Sequence, residues 1–232
     1  MTKIELVPWS EVFDYQTFSQ WKVTIESNIF LIQTEKITLL IDAGSKEIFN
    51  VLNHDNIKNI DGILLTHGHA DHIKQLNKLQ KKYHCPVYLH FNDERLLRNS
   101  WLNGSCFVNQ KKITAKKCSS TALSKDKTLK FDEFSFQIIE APWHTNWSVI
   151  FYSKELNALF VGDTILGKDI WTRRVPTWDR DKRKKSIQKL QNFLDTLDET
   201  TRIYPGHWPV ITLYELRKIN PYFSKKEEKP EL

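Results

Sequence analysis

Three cysteines are all that 232 residues contain, and Cys85, Cys106 and Cys118 stand far apart with no Cys-x-x-Cys pair. That scarcity argues against a disulfide framework and a zinc knuckle, and predicts reduced, inert thiols. An apolar N-terminal stretch of targeting length is also missing. Residues 1–11 mix Lys3, Glu5 and Glu11 with single hydrophobes, so a cytoplasmic protein without membrane association is expected. No segment repeats internally. Charge of one sign is in mild excess only, 34 Lys and Arg against 28 Asp and Glu for a net +6. The basic residues that do cluster, Lys168, Arg173, Arg174, Arg180, Lys182, Arg183, Lys184 and Lys185, read as a solvated loop and helix start rather than a phosphate track. A small-molecule substrate is therefore expected, with nucleic acid the less favoured partner.

The length fits one α/β domain with two packed sheets, spanning 1–232 with 223–232 as a frayed tail. Short apolar or β-branched runs predict strands over 5–8, 22–25, 37–41, 62–65, 87–89, 134–139, 149–152, 158–161 and 202–204. Helices are predicted over 71–82, 93–99, 181–197 and 213–219. In the third of these, Ile187, Leu190, Leu194 and Leu197 recur at steps of three and four, which makes one buried stripe.

His67-Gly68-His69-Ala70-Asp71-His72, directly after the run Ile63-Leu64-Leu65-Thr66, is the most informative stretch. Imidazole nitrogen and carboxylate oxygen are the usual ligands of catalytic zinc and related ions, and packing does not call for four titratable groups just beyond a buried strand. Small Gly68 and Ala70 allow a tight turn in which His67 and His69 approach one ion while Asp71 and His72 face a second. Farther on, His144, Asp163 and His207 each follow a strand candidate, which brings them to one sheet edge. His54, His84 and His90 fit no such pattern and read as surface or packing residues.

Five motifs in order make the chain resemble the metallo-β-lactamase-fold hydrolases, and within them the glyoxalase II (hydroxyacylglutathione hydrolase) branch. They are Leu40-Ile41-Asp42-Ala43-Gly44, Thr66 to His72, Pro142-Trp143-His144-Thr145, Val161-Gly162-Asp163-Thr164 and Tyr204-Pro205-Gly206-His207. Softer likenesses lie at Leu102-Asn103-Gly104-Ser105 and from Thr212 to Phe223. The resemblance implies a four-layer αββα sandwich of two mixed β-sheets flanked by helices. It implies two divalent metal ions, zinc first and iron or manganese as alternatives. His67, His69 and His144 would hold one ion, and Asp71, His72 and His207 the other. Asp163 would bridge them, while Asp42 would orient ligands from behind. Asp71, Asp163 and His207 would thus also belong to the catalytic set. Two ions that share a water lower its pKa towards neutrality, so attack by a metal-bound hydroxide is the implied chemistry.

The chain departs from that branch in two ways. Tryptophan stands where small residues are usual, and five of the eight lie in or near the motifs. Trp143, Trp147, Trp171 and Trp208, with Arg173, are therefore candidate substrate-binding residues, although under an equally weighted reading the tryptophans fill the fold. Only 25 residues follow His207, which resembles the short form without the C-terminal helical domain that helps hold glutathione. The function implied is a thioester hydrolase (EC 3.1.2), since a thiol of pKa about 8.5 departs without a strong general acid. The alternatives are a phosphodiesterase or nuclease acting on RNA or nucleotides, or a mononuclear-iron oxygenase like the persulfide dioxygenases.

Overall fold

The computed structural model describes residues 2–7, 26–107, 112–115, 120–123, 128–170 and 180–224. The N-terminal sheet runs in chain order: β1 (Lys3–Val7), β2 (Ile29–Gln33), β3 (Thr38–Ile41), β4 (Gly62–Leu64), β5 (Val87–His90) and β6 (Ser120–Leu123). Its first three strands pair antiparallel and β3 to β6 pair parallel. The second sheet holds β7 (Thr128–Phe131), β8 (Phe134–Glu140), β9 (Val149–Ser153), β10 (Ala158–Gly162), β11 (Arg202–Pro205) and β12 (Ile211–Thr212), again as neighbours in chain order. Here only β10 and β11 are parallel.

Alternation along the strands explains the layering. β2 sends Phe30 and Ile32 between the sheets, where they meet Leu39, Ile41, Phe136, Phe151 and Phe160. Its other face, Ile29 and Leu31, packs with Ile48 and Leu52 of α1 (Ile48–His54) and Leu76 and Leu79 of α3 (Leu76–Tyr83). On the far side, Ile150 and Leu159 pack against Leu190 and Leu194 of α5 (Arg180–Leu194) and Leu216 of α6 (Leu213–Ile219). Helices thus cover the outer face of each sheet, and strands buried on both faces read as continuous apolar runs. Two shorter helices among the described residues are α2 (Ala70–Ile73) and α4 (Glu94–Arg98).

Several expectations are corrected. The helix predicted over 71–82 is two helices, because the His72 carbonyl accepts from the Ala43 N–H over 2.8 Å and the Gln75 N–H donates to the Ala43 carbonyl over 2.8 Å. The chain entering α3 is therefore stitched to the loop after β3 instead of continuing a helical ladder. α5 stops at Leu194, three residues early. β2, α1, β6, β7 and β12 were not read from the sequence, and the strand predicted over 22–25 lies outside the described residues. Phe223, expected to begin a frayed tail, is buried against the α5 and α6 cluster. Among the described residues no helix is long and apolar enough to cross a membrane.

Candidate metal centre

Five loops leave the ends of β3, β4, β8, β10 and β11 and meet at one edge of the sandwich. They carry Asp42, the Thr66 to His72 turn, His144, Asp163 and His207 respectively. Two glycines allow this crowding. A Cβ on Gly206 would lie 2.5 Å from Asp163 Oδ1 and 2.6 Å from His72 Cε1, and one on Gly162, whose φ is +50°, would lie 2.4 Å from Thr66 Oγ1. Any side chain at either place would displace the site.

The seven candidate ligands form two groups. In the first, His69 Nδ1 lies 2.8 Å from His144 Nε2, which lies 3.1 Å from His67 Nε2. In the second, His207 Nε2 lies 2.8 Å from Asp71 Oδ2, and His72 Nε2 lies 3.7 Å from that oxygen. Asp163 stands between the groups. Its Oδ2 is 3.5 Å from both His144 Nε2 and His207 Nε2, and its Oδ1 is 3.2 Å from His72 Nε2. Within each group one ligand atom per residue lies within 4.8 Å of every other, with Asp163 counted in the second.

Buried polar groups behind the ligands fix their orientation. Asp42, in the left-handed region at φ 63°, accepts from the Thr66 N–H, the Thr66 hydroxyl and His72 Nδ1. With its hydroxyl proton committed to Asp42, Thr66 Oγ1 accepts from His67 Nδ1 over 3.0 Å, which leaves His67 Nε2 as a lone pair facing the centre. Asp93 accepts from the Gly68 N–H and the Thr145 hydroxyl, and so joins the loop of His67 and His69 to the loop of His144.

Electrostatically the groups differ. Burial is the main cause that pushes His67 and His144 far below the usual imidazole range and His69 down to about 4, so the first group is a set of neutral rings. In the second, burial lowers His72 and His207, but the facing carboxylates outweigh it and raise both. The same pairing runs the other way for the acids. Burial raises Asp71 and Asp163, and the nearby rings overcome it, holding Asp71 at about 2 and Asp163 lower still.

This donor set fits divalent ions. Three ring nitrogens turned on one another cannot all be satisfied by the few protons that neutral rings carry. His69 Nε2 is buried with no hydrogen-bond partner, and His72 Nε2 and Asp163 Oδ1 face each other at 3.2 Å without hydrogen-bond alignment, an arrangement that is costly unless something else occupies the space they share. Neutral imidazoles in the first group, with the Asp71 carboxylate in the second and Asp163 reachable from both, suit zinc, iron or manganese.

The substrate-binding candidates separate. Trp143 is fully enclosed in the core beneath β8 to β10 and fills the fold, correcting its placement at a cleft. Its N–H donates to the Ala141 carbonyl over 3.0 Å in the turn that leads to His144. Trp147 stacks on His90, ring centroids 4.9 Å apart and planes 8° apart. Trp208 is 38% exposed beside His207, its indole against Gly167. Trp171 and Arg173 lie outside the described residues. His54 is at the surface, His84 ends α3 in the left-handed conformation and His90 packs beneath Trp147, as their lack of a motif predicts. Cys85 is buried with its thiol pushed up to about 11 by burial, Cys106 is exposed, and Cys118 lies outside the described residues. Sequence reading missed Asn28 and Asp93, and it placed Thr66 and Thr145 in motifs without a role, because all four act by hydrogen bonds rather than by any ligand spacing.

A profile of the metallo-beta-lactamase superfamily matches residues 24–207. The chain belongs to that superfamily. This metallo-β-lactamase-superfamily chain is 27% identical over 202 residues to the probable metallo-hydrolase YqgX of Bacillus subtilis, covering 86% of this chain and 93% of that one. It is also 27% identical to the probable metallo-hydrolase MJ0888 of Methanocaldococcus jannaschii, covering 78% and 87%. Among solved structures it resembles the B3 metallo-β-lactamase BLEG-1, with a TM-score of 0.82 and 25% identity over 96% of this chain and all of that one. It also resembles TTHA1623 in a di-iron-bound form, with a TM-score of 0.71 and 26% identity over 89% of this chain and all of that one. YqgX and MJ0888 are both named as probable metallo-hydrolases.

Proposed function

We propose that this chain hydrolyses a small-molecule thioester at a pair of divalent ions, zinc first, held by His67, His69 and His144 on one side and Asp71, His72 and His207 on the other. The observation that carries the reading is Asp163, whose one carboxylate lies within 3.5 Å of ring nitrogens from both groups. A shared carboxylate offsets the repulsion of two cations held close together. When bound, such ions supply Lewis acidity and bring the pKa of a shared water close to neutrality. The chain's own residues do the rest. Asp42 and Thr66 hold the rings so that Nε2 faces inwards, Asp71 and Asp163 supply negative charge, and the buried apolar surroundings keep bulk water away from the first group.

Thioesters are favoured because the five motifs resemble the glyoxalase II branch and because a thiolate departs without a dedicated acid. Trp208 at the rim favours an apolar acyl group over a small one. The di-iron form of TTHA1623 supports iron as the alternative metal.

Metal analysis of the purified protein, paired with a panel of lactoylglutathione, aryl thioesters, a lactone, a β-lactam and an activated phosphodiester, tests the proposal. Two zinc ions per chain and thioesters hydrolysed best is the expected result. Phosphodiester or β-lactam cleavage with thioesters untouched overturns the substrate assignment. A single iron together with oxygen consumption overturns the hydrolytic one.

A further inference from the structure

We infer that Asn28 is the positioning residue for the second metal position, acting through the backbone on both sides of His207. This rests on the two-ion reading above. Asn28 stands just before β2 and is 3% exposed. Its backbone N–H donates to the Gly206 carbonyl over 2.8 Å, and its side-chain Nδ2 donates to the carbonyls of Pro205 over 2.9 Å and Trp208 over 3.1 Å. One residue, some 180 positions earlier in the chain, therefore holds three of the four carbonyls from Pro205 to Trp208. The opposite side of the loop is tied by the Gly206 N–H to the Gly162 carbonyl over 2.9 Å, next to Asp163. The neighbouring Ser27 hydroxyl donates to the Asp71 carbonyl. Residues 27 and 28 thus hold the Asp71 backbone and the backbone on either side of His207, the two members of the Asp71–His207 contact.

Only a carboxamide suits this place. Two carbonyl oxygens must be met by two N–H bonds from one short side chain, which fixes the orientation of the amide and excludes aspartate, which has no donor when ionised. The hydrogen bonds of Ser27 and Asn28 outside their own segment run to the Asp71 and His207 loops, so the effect should be confined to one position. Supporting groups that orient metal ligands alter affinity by about 10- to 100-fold, and that is the expected scale.

The experiment titrates Zn2+ into metal-stripped wild type, Asn28→Ala, Asn28→Asp and Asn28→Ser in competition with a chromophoric chelator. Arg217→Ala serves as a control that loosens the fold elsewhere, since Arg217 binds the carbonyls of Leu194 and Phe223 and pairs with Asp195 and Glu199. Wild type should take two equivalents. The Ala and Asp variants should bind the first as wild type does and the second about 10- to 100-fold more weakly, with Ser, which keeps one donor, in between. The control should melt earlier yet keep both affinities. If Ala and Asp prevent folding, Ser decides the matter with a weakened second equivalent. Two wild-type affinities in the Asn28 variants, or an equal loss at both positions, overturns the inference alone. One equivalent in wild type overturns the two-ion reading and the inference with it.

Discussion

Asp42 Oδ2 lies 2.8 Å from His72 Nδ1, so the acid that directly follows β3 aims the far nitrogen of that ring at Asp163. The same carboxylate accepts the Thr66 N–H and hydroxyl, and the Thr66 oxygen steadies His67. One buried acid therefore reaches a ring in each group. Asp42→Ala should weaken metal binding at both positions by about 10- to 100-fold without abolishing it. Asn at this place tolerates the left-handed backbone, so Asp42→Asn should fold as well as wild type and still bind metal more weakly. Unchanged zinc affinity in both variants would show that the ligands hold their orientation unaided.

Asp163 should behave differently, since it faces ligands of both groups. Asp163→Ala is expected to lose both zinc equivalents and all hydrolysis together, whereas Asp163→Asn, which keeps the shape but not the charge, should retain at most one ion. Elemental analysis after desalting reads the outcome. Two ions retained in the alanine variant would remove Asp163 from between the groups.

The metal-ligand pattern was legible because spacing is a local property. The turn from His67 to His72 announces itself in six residues, and His144, Asp163 and His207 each sit just past a recognisable apolar strand. What holds those residues was not legible. Asn28 and Asp93 act through hydrogen bonds to loops far away in sequence, and nothing in their neighbours marks them, while the motif around Thr145 gives no sign of its bond to Asp93. β2 escaped for a related reason, since its buried residues Ile29 to Ile32 alternate between two apolar layers and show no polar face. The break between α2 and α3 depends on Ala43, some 30 residues away. Tryptophan near a motif carried no information on whether it faces a substrate or the core.

Trp143 and Trp208 make that last distinction measurable. Trp143→Ala should cost about 3 to 5 kcal/mol in urea unfolding, as expected for a large aromatic removed from a core, with the order of preferred substrates unchanged. Trp208→Gly should cost little stability and shift the preference towards smaller acyl groups by about tenfold or more in kcat/KM, corresponding to about 1 to 3 kcal/mol of lost apolar contact. If Trp208→Gly leaves the ranking intact, the rim does not select the acyl group.

Asp93 couples the site to stability through pH. Its carboxylate is fully buried, Oδ2 accepts from Gly68 over 3.2 Å and Thr145 over 2.9 Å, and Oδ1 has no partner. Burial outweighs both hydrogen bonds and raises the group to about 6 from an ordinary 3.8. The folded chain therefore holds this proton more tightly than the unfolded one between those values, so stability from this group is full below about pH 4 and is lost as pH climbs through about 6. At neutral pH the ionised acid is retained at a cost of about 3 kcal/mol, which makes sense only if tying the His67–His69 loop to the His144 loop matters more than stability. Asp93→Asn removes the titration while an oxygen still accepts both bonds. Unfolding of the chelator-treated proteins should thus show the asparagine variant gaining on wild type by about 2 kcal/mol between pH 4.5 and 7.5, mostly below pH 6.5. A difference that stays flat across the range would mean that the carboxylate ionises in the fold as it does in water.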